Sequence, residues 1–199
     1  MKRLKITGQS DVFISEYPYH KELKDDVVPL LAKYPDCQGR KTNVKATMTE
    51  YQWDPPIERL KRFKSTVVAD INSYYFAGRM RTPELRDWVR ITDFWGNVYR
   101  EGDHTAPHNH FLKDFYSFVY FLKTESYHPP LVFTHSKRKI RPKEGTYVIF
   151  PSHLMHHVPP NKSKEMRMTL SGNVTQAPWI EEWMRGLEEG WVNGIGGDG

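Results

Sequence analysis

The sequence predicts a mainly β protein, a small barrel or sandwich with helices on its outside. Between residues 88 and 175, short segments rich in β-branched and aromatic residues alternate with Gly, Pro or Asp, which is typical of strands joined by turns. Before this region, apolar residues recur at helical spacing instead. The 199 residues fit a single domain with a substantial core, made of a barrel at about 88–175 and supporting elements at 1–87.

The main helix is predicted over residues 55–77. Asp54 suits the N-cap, the two prolines after it suit the first turn, and Gly78 would end the helix. A second helix is expected at about 178–187. The first 50 residues are weakly patterned, although residues 44–49 could add a strand.

The predicted strands are bounded by turn residues and contain many β-branched and aromatic side chains. They lie at residues 88–100, 116–122, 131–134, 146–150 and 167–173. A basic stretch at 137–143 is expected to be a loop that connects two of them.

Composition limits the classes of function. The aromatic content of 14% argues against disorder, and no apolar run approaches the roughly 18 residues that span a bilayer. The net charge of +5 is too small to predict a nucleic-acid partner. Cys37 is the single cysteine, so no disulfide can form within the chain, and we expect a cytoplasmic protein. Composition does not set the oligomeric state, and a homodimer stays open.

The most informative segment runs from Gly102 to His110. His108 and His110 are separated by one residue, and alternate side chains of a strand point to the same face, so the two imidazoles project together. Two neutral imidazoles on one face can chelate a divalent transition metal. The sequence therefore predicts a metal site inside the barrel.

A third ligand has to come from a distant strand. The pattern Gly145-x5-Pro151-x4-His156 follows a predicted strand and offers His156. His153 and His157 compete for the role, and spacing alone does not choose among the three histidines.

These patterns resemble two known families. The first is the cupin superfamily, whose first motif is met by Gly102, His108 and His110, with Asp114 at its acidic position. The second cupin motif is met by the glycine, proline and histidine of the pattern that ends at His156, with a histidine where that motif has its second glycine.

The chain is more similar to a family of 2-oxoglutarate- and Fe(II)-dependent oxygenases of bacteria and tailed phages, over about residues 88–175. The matching positions are Trp95, Asn97, Tyr99, Pro107, His108, His110, Phe150, Pro151, Ser152, Leu154, His156, Val158, Pro160, Asn161, Arg167 and Asn173. One departure is Gly102, which follows the tyrosine after two residues instead of three. Both families share the double-stranded β-helix, or jelly roll, so the resemblance implies that fold and selects His156 over its neighbours.

The resemblance also implies an activity: a dioxygenase that uses Fe(II), 2-oxoglutarate and O2, and that hydroxylates a substrate while 2-oxoglutarate is decarboxylated to succinate. His108, His110 and His156 would bind the metal. The substrate itself cannot be read from the sequence, because the loops around a barrel mouth vary freely.

By the same resemblance, Arg167 would bind the distal carboxylate of 2-oxoglutarate. A planar guanidinium binds a carboxylate through two parallel, charge-assisted hydrogen bonds. Tyr120 and Asn173 are expected nearby as further contacts to the cosubstrate.

One departure from the usual non-haem iron site concerns His110, which stands where Asp or Glu normally completes two histidines. The three-histidine set is the favoured interpretation, and Asp114 or Asp103 is the alternative source of a carboxylate ligand. Zinc would also accept these ligands. Two other functions stay open: a cupin-type metalloenzyme that does not use 2-oxoglutarate, and a non-catalytic jelly-roll module.

Overall fold

The structure is a computed structural model that describes residues 2–6, 10–35, 42–75, 89–110 and 114–176. Two helices are described, α1 (His20–Ala32) and α2 (Glu58–Tyr75). The strands are β1 (Lys2–Lys5), β2 (Asp11–Glu16), β3 (Val44–Lys45), β4 (Thr47–Met48), β5 (Val89–Tyr99), β6 (His104–His108), β7 (Tyr116–Lys123), β8 (Leu131–Phe133), β9 (Arg138–Ile140), β10 (Thr146–Pro151), β11 (His156–Val158) and β12 (Arg167–Gln176).

The strands form two antiparallel sheets. The larger sheet has the order β1-β2-β10-β7-β12-β5-β4, and the smaller sheet has the order β3-β6-β11-β8-β9. The chain passes back and forth between them, since β10, β11 and β12 lie in the larger, the smaller and the larger sheet in turn. This connectivity brings residues that are far apart in sequence to facing positions.

Two hydrophobic cores lie on opposite faces of the larger sheet. On β7, Phe118 and Tyr120 belong to the core beneath the helices, whereas Phe121 belongs to the core between the sheets, and Val119 packs against that second core. This alternation follows from the two-residue period of a strand. Whether a residue of β7 has an even or an odd number therefore decides which of the two cores it faces.

The helices cover the outer face of the larger sheet. Leu23, Val27 and Leu31 are fully buried along one stripe of α1, as the four-residue spacing of a helix face requires. The helix approaches β5 closely at Gly96, where a Cβ atom would lie 2.5 Å from Cδ2 of Leu31. Neither described helix combines the length and the apolar character needed to cross a membrane.

Most predicted elements of the barrel region are confirmed, and each of the five predicted strands overlaps an observed one. The main helix begins at Glu58, three residues later than predicted, and Asp54, the expected N-cap, forms an ion pair with Lys64. The basic stretch at 137–143 is not only a loop, since it contains β9. Gly78 and the helix expected at 178–187 lie outside the described residues.

The N-terminal region contains more structure than its weak pattern predicts. Residues 44–49 do supply strands, the short β3 and β4, but β1, β2 and α1 were not predicted. Pro29 lies inside α1, where a proline normally disfavours a helix. Packing of the buried stripe against the sheet stabilises α1 despite this residue.

Candidate metal centre and adjoining cavity

Three histidines meet in a cavity between the two sheets. His108 ends β6 and His156 begins β11, and the two residues are direct partners in the register of these strands. His110 lies two residues beyond the end of β6, where its backbone N–H donates to the carbonyl of Ser152 at 2.9 Å. One candidate ligand atom from each histidine lies within 4.8 Å of the other two.

The glycines that precede both histidine segments have a structural role. Gly102 has a φ angle of +85° and Gly145 a φ angle of +80°, a conformation that side chains other than that of glycine rarely adopt. Gly102 lies in the turn between β5 and β6, and its N–H donates to the carbonyl of Asn161 at 2.7 Å. The glycine therefore sets the direction in which the chain enters the strand of His108.

Two of the histidines are held in the tautomer that binds a metal. His108 Nδ1 donates to the carbonyl of Ala106 at 2.9 Å, and His156 Nδ1 donates to the carbonyl of Leu154 at 2.8 Å. With its proton on Nδ1, each ring keeps an unprotonated Nε2, the nitrogen that can bind a metal.

Burial also keeps the cluster neutral. Removal from water lowers the pKa of His110 to about 4 and lowers the pKa values of His108 and His156 as well. At neutral pH all three imidazoles are therefore uncharged and can donate a lone pair. Three neutral nitrogen donors suit Fe(II) or Zn(II), so the residues fit the metal that the sequence predicts.

The structure separates the triad from its two competing neighbours. His153 is exposed, and its Nε2 lies 3.4 Å from Oγ of Ser10. His157 shares a hydrogen bond of 2.9 Å between its Nδ1 and Oγ1 of Thr134. Neither histidine belongs to the cluster found among the described residues.

The two carboxylates considered as alternative ligands also lie elsewhere. Asp114 Oδ1 accepts a hydrogen bond of 2.6 Å from Oγ1 of Thr92. Asp103 Oδ2 accepts one of 2.7 Å from the backbone N–H of Arg100. In the described part of the chain, no acidic residue lines the cavity, and the structure brings neither Asp114 nor Asp103 into the histidine cluster.

Both sheets line the cavity. The larger sheet contributes mostly hydrogen-bonding side chains, those of Trp95, Asn97, Tyr99, Ser117, Arg167, Thr169, Ser171 and Asn173, together with Val119 and Gly172. The smaller sheet contributes His108, His156 and Thr105 beside the apolar Val44, Leu131 and Val158. A ligand in this cavity would meet the histidines on one side and hydrogen-bonding groups on the other.

Arg167 is buried and lines the cavity. It is 1% exposed, and its Nε, Nη1 and Nη2 atoms have no hydrogen-bond partner among the described residues. The guanidinium carbon lies 4.8 Å from the ring centre of Tyr99 and 5.6 Å from that of Phe121. Burial lowers the pKa of Arg167, but a guanidinium stays protonated in proteins. An unpaired buried cation is costly, so this position is suited to an anionic ligand.

The structure separates the other two residues expected near the cosubstrate. Asn173 lines the cavity, where its Nδ2 lies 3.4 Å from Nδ1 of His110. Tyr120 belongs to the core beneath the helices, and its hydroxyl lies 2.6 Å from Nδ1 of His20. Tyr120 does not line the cavity, because it is an odd number of residues from Ser117 on β7 and therefore lies on the opposite face of the sheet.

Three residues of the site were given no role from the sequence. Trp95, Asn97 and Tyr99 occupy alternate positions of β5, so they share the face that lines the cavity. Trp95 Nε1 and Asn97 Oδ1 are buried without a hydrogen-bond partner among the described residues. The two-residue period of the strand, counted from any one of them, was the signal that could have identified all three.

Comparison with known proteins agrees with this site. Residues 132–173 match a family model described as "Putative 2OG-Fe(II) oxygenase", a segment that contains His156, Arg167 and Asn173. No curated protein matches the chain by sequence.

Solved structures share the fold over most of the chain. A viral collagen prolyl hydroxylase from Paramecium Bursaria Chlorella virus-1 is 15% identical, with a TM-score of 0.63 over 83% of this chain and 96% of its own. A prolyl-4-hydroxylase from Pseudomonas putida is 18% identical, with a TM-score of 0.63 over 85% of this chain and 94% of its own. A prolyl hydroxylase from Trichoplax adhaerens is 14% identical, with a TM-score of 0.61 over 87% of this chain and 86% of its own.

These likenesses show the double-stranded β-helix fold. The family model covers residues 132–173, less than half of the chain, and this segment is similar to 2-oxoglutarate- and Fe(II)-dependent oxygenases.

Proposed function

We propose that the chain is a hydroxylase in which His108, His110 and His156 bind Fe(II). The observation that supports this proposal is the convergence of three neutral imidazoles, from β6, the segment after it and β11, in one cavity. Bound Fe(II) would activate O2 for hydroxylation of the substrate, with 2-oxoglutarate leaving as succinate and CO2. The protein's own task is to bind, orient and shield the reacting groups.

Arg167 would anchor the distal carboxylate of 2-oxoglutarate. Its three guanidinium nitrogens are buried donors with no partner among the described residues, which is the arrangement a bidentate carboxylate completes. Tyr99 would hold the guanidinium in place, because its ring lies 4.8 Å from the guanidinium carbon. Once paired, the buried cation no longer lacks a counter-charge.

Asn97 would contact the middle of the cosubstrate. Its amide lies 3.3 Å from Oγ1 of Thr169 and 3.3 Å from Oγ of Ser171, two hydroxyls that can donate as well as accept. A half-turn of the amide lets both hydroxyls donate to Oδ1 and presents the NH2 group to the cavity. In that orientation Asn97 is a donor for an anionic ligand.

For the substrate we propose a prolyl residue of a peptide as the first class to test. Three of the structures that share this fold are prolyl hydroxylases. Trp95 lines the cavity 6.2 Å from His110 between ring centres, and Tyr51 packs against its outer side at 5.3 Å. Tyr51 is 45% exposed, so an aromatic surface leads from solvent to the histidines, and such a surface suits a pyrrolidine ring.

The activity is tested by supplying the chain with Fe(II), ascorbate and 2-oxoglutarate and measuring succinate, with and without a proline-rich peptide. We expect succinate formation that His108→Ala abolishes, and hydroxyproline in the peptide by mass spectrometry. Arg167→Lys keeps the charge but loses the planar fork, so it should raise the KM for 2-oxoglutarate about tenfold or more. No succinate from metal-loaded protein would contradict the proposed function, and an unchanged KM would remove Arg167 from the role.

Two expectations from composition stay predictions, a cytoplasmic location and the absence of a nucleic-acid partner. A homodimer, which composition does not decide, stays open. Light scattering coupled to size exclusion would decide the oligomeric state.

A further inference from the structure

The three histidines differ in what holds the side of the ring that faces away from the metal. His108 and His156 each donate Nδ1–H to a backbone carbonyl two residues earlier. His110 Nδ1 instead faces a side chain, since Nδ2 of Asn173 lies 3.4 Å away. His110 is therefore the member of the triad whose orientation depends on a distant strand.

Asn173 is in turn fixed by two groups. Its Oδ1 accepts a hydrogen bond of 3.0 Å from Ser117, and its Nδ2 donates to Oδ2 of Asp93 at 3.2 Å. Asp93 is itself held by Gln52, whose Nε2 donates to Oδ1 at 3.1 Å. A carboxylate thus lies one amide away from His110, just outside the residues that line the cavity.

This placement compensates for the unusual ligand set. A site with two histidines and one carboxylate carries a negative charge of its own, whereas three neutral imidazoles carry none. Metal-binding histidines usually have an outer partner, and a carboxylate in that place makes the imidazole a stronger donor. The chain has no acidic residue in the described lining of the cavity, but it has Asp93 in the next layer.

We propose that Asp93 and Asn173 act as a pair that positions His110 and supplies the negative charge that the three-histidine set lacks. A metal-bound His110 carries its proton on the nitrogen that faces away from the metal. A half-turn of the Asn173 amide gives its oxygen to that proton and its NH2 group to Ser117 Oγ, and Asp93 then acts on the site through its charge. Asp93 and Asn173 are positioning residues, because they act on the metal through His110. The inference rests on the metal centre of the proposed function.

The test uses the full chain and Co(II) in place of Fe(II), so that no turnover is needed. Co(II) affinity is measured by competition with a chromophoric chelator, and the coordination is monitored by the visible ligand-field spectrum. Asp93→Asn and Asn173→Ala should each lower the affinity about 10- to 100-fold and change the spectrum. The exchanged pair Asp93→Asn with Asn173→Asp places the carboxylate directly against His110 and should restore the affinity.

Asp114→Asn is the matched control. It removes the same charge from a carboxylate that Thr92, rather than Asn173, contacts, so the Co(II) affinity should stay unchanged. The proposal is overturned if Asp93→Asn binds Co(II) as tightly as the parent chain, or if the exchanged pair fails to recover what the single changes lose. If His108→Ala binds Co(II) undiminished, the metal centre itself is wrong, which is a different result from the failure of the pair alone.

Discussion

Two buried tyrosines, Tyr99 and Tyr120, lie on opposite faces of the larger sheet and have different partners. The Tyr99 ring faces Arg167, and its hydroxyl shares a hydrogen bond of 2.7 Å with Oγ1 of Thr105. The Tyr120 hydroxyl lies 2.6 Å from Nδ1 of His20, at the start of α1. One tyrosine is therefore placed to support ligand binding, and the other joins a strand to a helix.

Removing one hydroxyl at a time should separate these roles. Tyr99→Phe removes the hydrogen bond to Thr105 that holds the ring beside Arg167, and it is expected to raise the KM for 2-oxoglutarate several-fold. Tyr120→Phe should leave that KM unchanged and lower the free energy of unfolding by about 1 kcal/mol, because it removes one buried hydrogen bond. Steady-state kinetics and urea unfolding on both variants check this, and an altered KM in Tyr120→Phe alone would reverse the assignment.

The buried histidines make stability depend on pH. Their folded pKa values lie below the ordinary value of 6.5, that of His110 at about 4, because burial disfavours the charged ring. Between these values the unfolded chain binds protons that the folded chain does not, so acid favours unfolding.

The metal-free chain should therefore lose stability as the pH falls from about 6.5 to about 4, and it should keep full stability above this window. Urea unfolding at a series of pH values in the presence of a chelator measures the effect. His110→Gln removes one of the three groups and should flatten the dependence. An equally steep slope in that variant would mean that other residues cause it.

At the scale of elements, β12 is the strand on which the site depends most. It pairs with both β5 and β7 and contributes Arg167 and Asn173 to the cavity. Gly172 lies beside Asn173, where a Cβ atom would come within 2.6 Å of the Phe118 ring and 2.8 Å of the Asp93 carbonyl. The absence of a side chain at this position lets the strand pack against both neighbours.

Gly172→Ala should therefore lower the free energy of unfolding by about 1 to 3 kcal/mol, as overpacking of a core does. Gly102→Ala is the comparison, because open space surrounds its Cβ position and only the φ angle of +85° opposes the change, at a cost of about 1 kcal/mol. Urea unfolding measures both. A smaller decrease in the free energy of unfolding for Gly172→Ala than for Gly102→Ala would show that the Phe118 side chain moves aside at little cost.

The sequence predicts the elements whose signal is local. Short runs of β-branched residues between turns are sufficient to locate the strands of the barrel region, and the spacing of His108 and His110 identifies two members of the triad. The third member, His156, was chosen from its neighbours by the family resemblance and not by spacing. The helix α1 was missed because it contains Pro29 and depends on packing against the sheet.

The unpredicted parts of the site depend on register. Asp93 comes opposite Asn173 only through the pairing of β5 with β12, which shifts just after Asn173. No local pattern encodes that partner. The position of Tyr120, in contrast, could have been corrected from the sequence, because alternate residues of a strand face opposite sides.

At the scale of the whole molecule, the site links binding to folding. Any ligand that binds only the folded chain raises its stability, by about 2.7 kcal/mol at one hundred times its Kd. Under anaerobic conditions, Co(II) should raise the Tm, and 2-oxoglutarate should raise it further.

In Arg167→Leu the rise caused by Co(II) should remain and the added rise caused by 2-oxoglutarate should be lost. Differential scanning fluorimetry with a chelator control measures both steps. A full response of this variant to 2-oxoglutarate would place the carboxylate elsewhere in the cavity.

The buried guanidinium of Arg167 also implies a trade-off between the stability of the folded chain and its activity. A buried cation without an ion-pair partner opposes folding until an anion binds it, so the ligand-free chain is less stable than the chain with its ligand. Arg167→Met should make the empty protein harder to unfold by about 1 to 4 kcal/mol while it forfeits the cosubstrate. Selection for higher stability alone would therefore favour the loss of this arginine and, with it, of activity. A more stable relative without an arginine here would be expected to have lost the reaction.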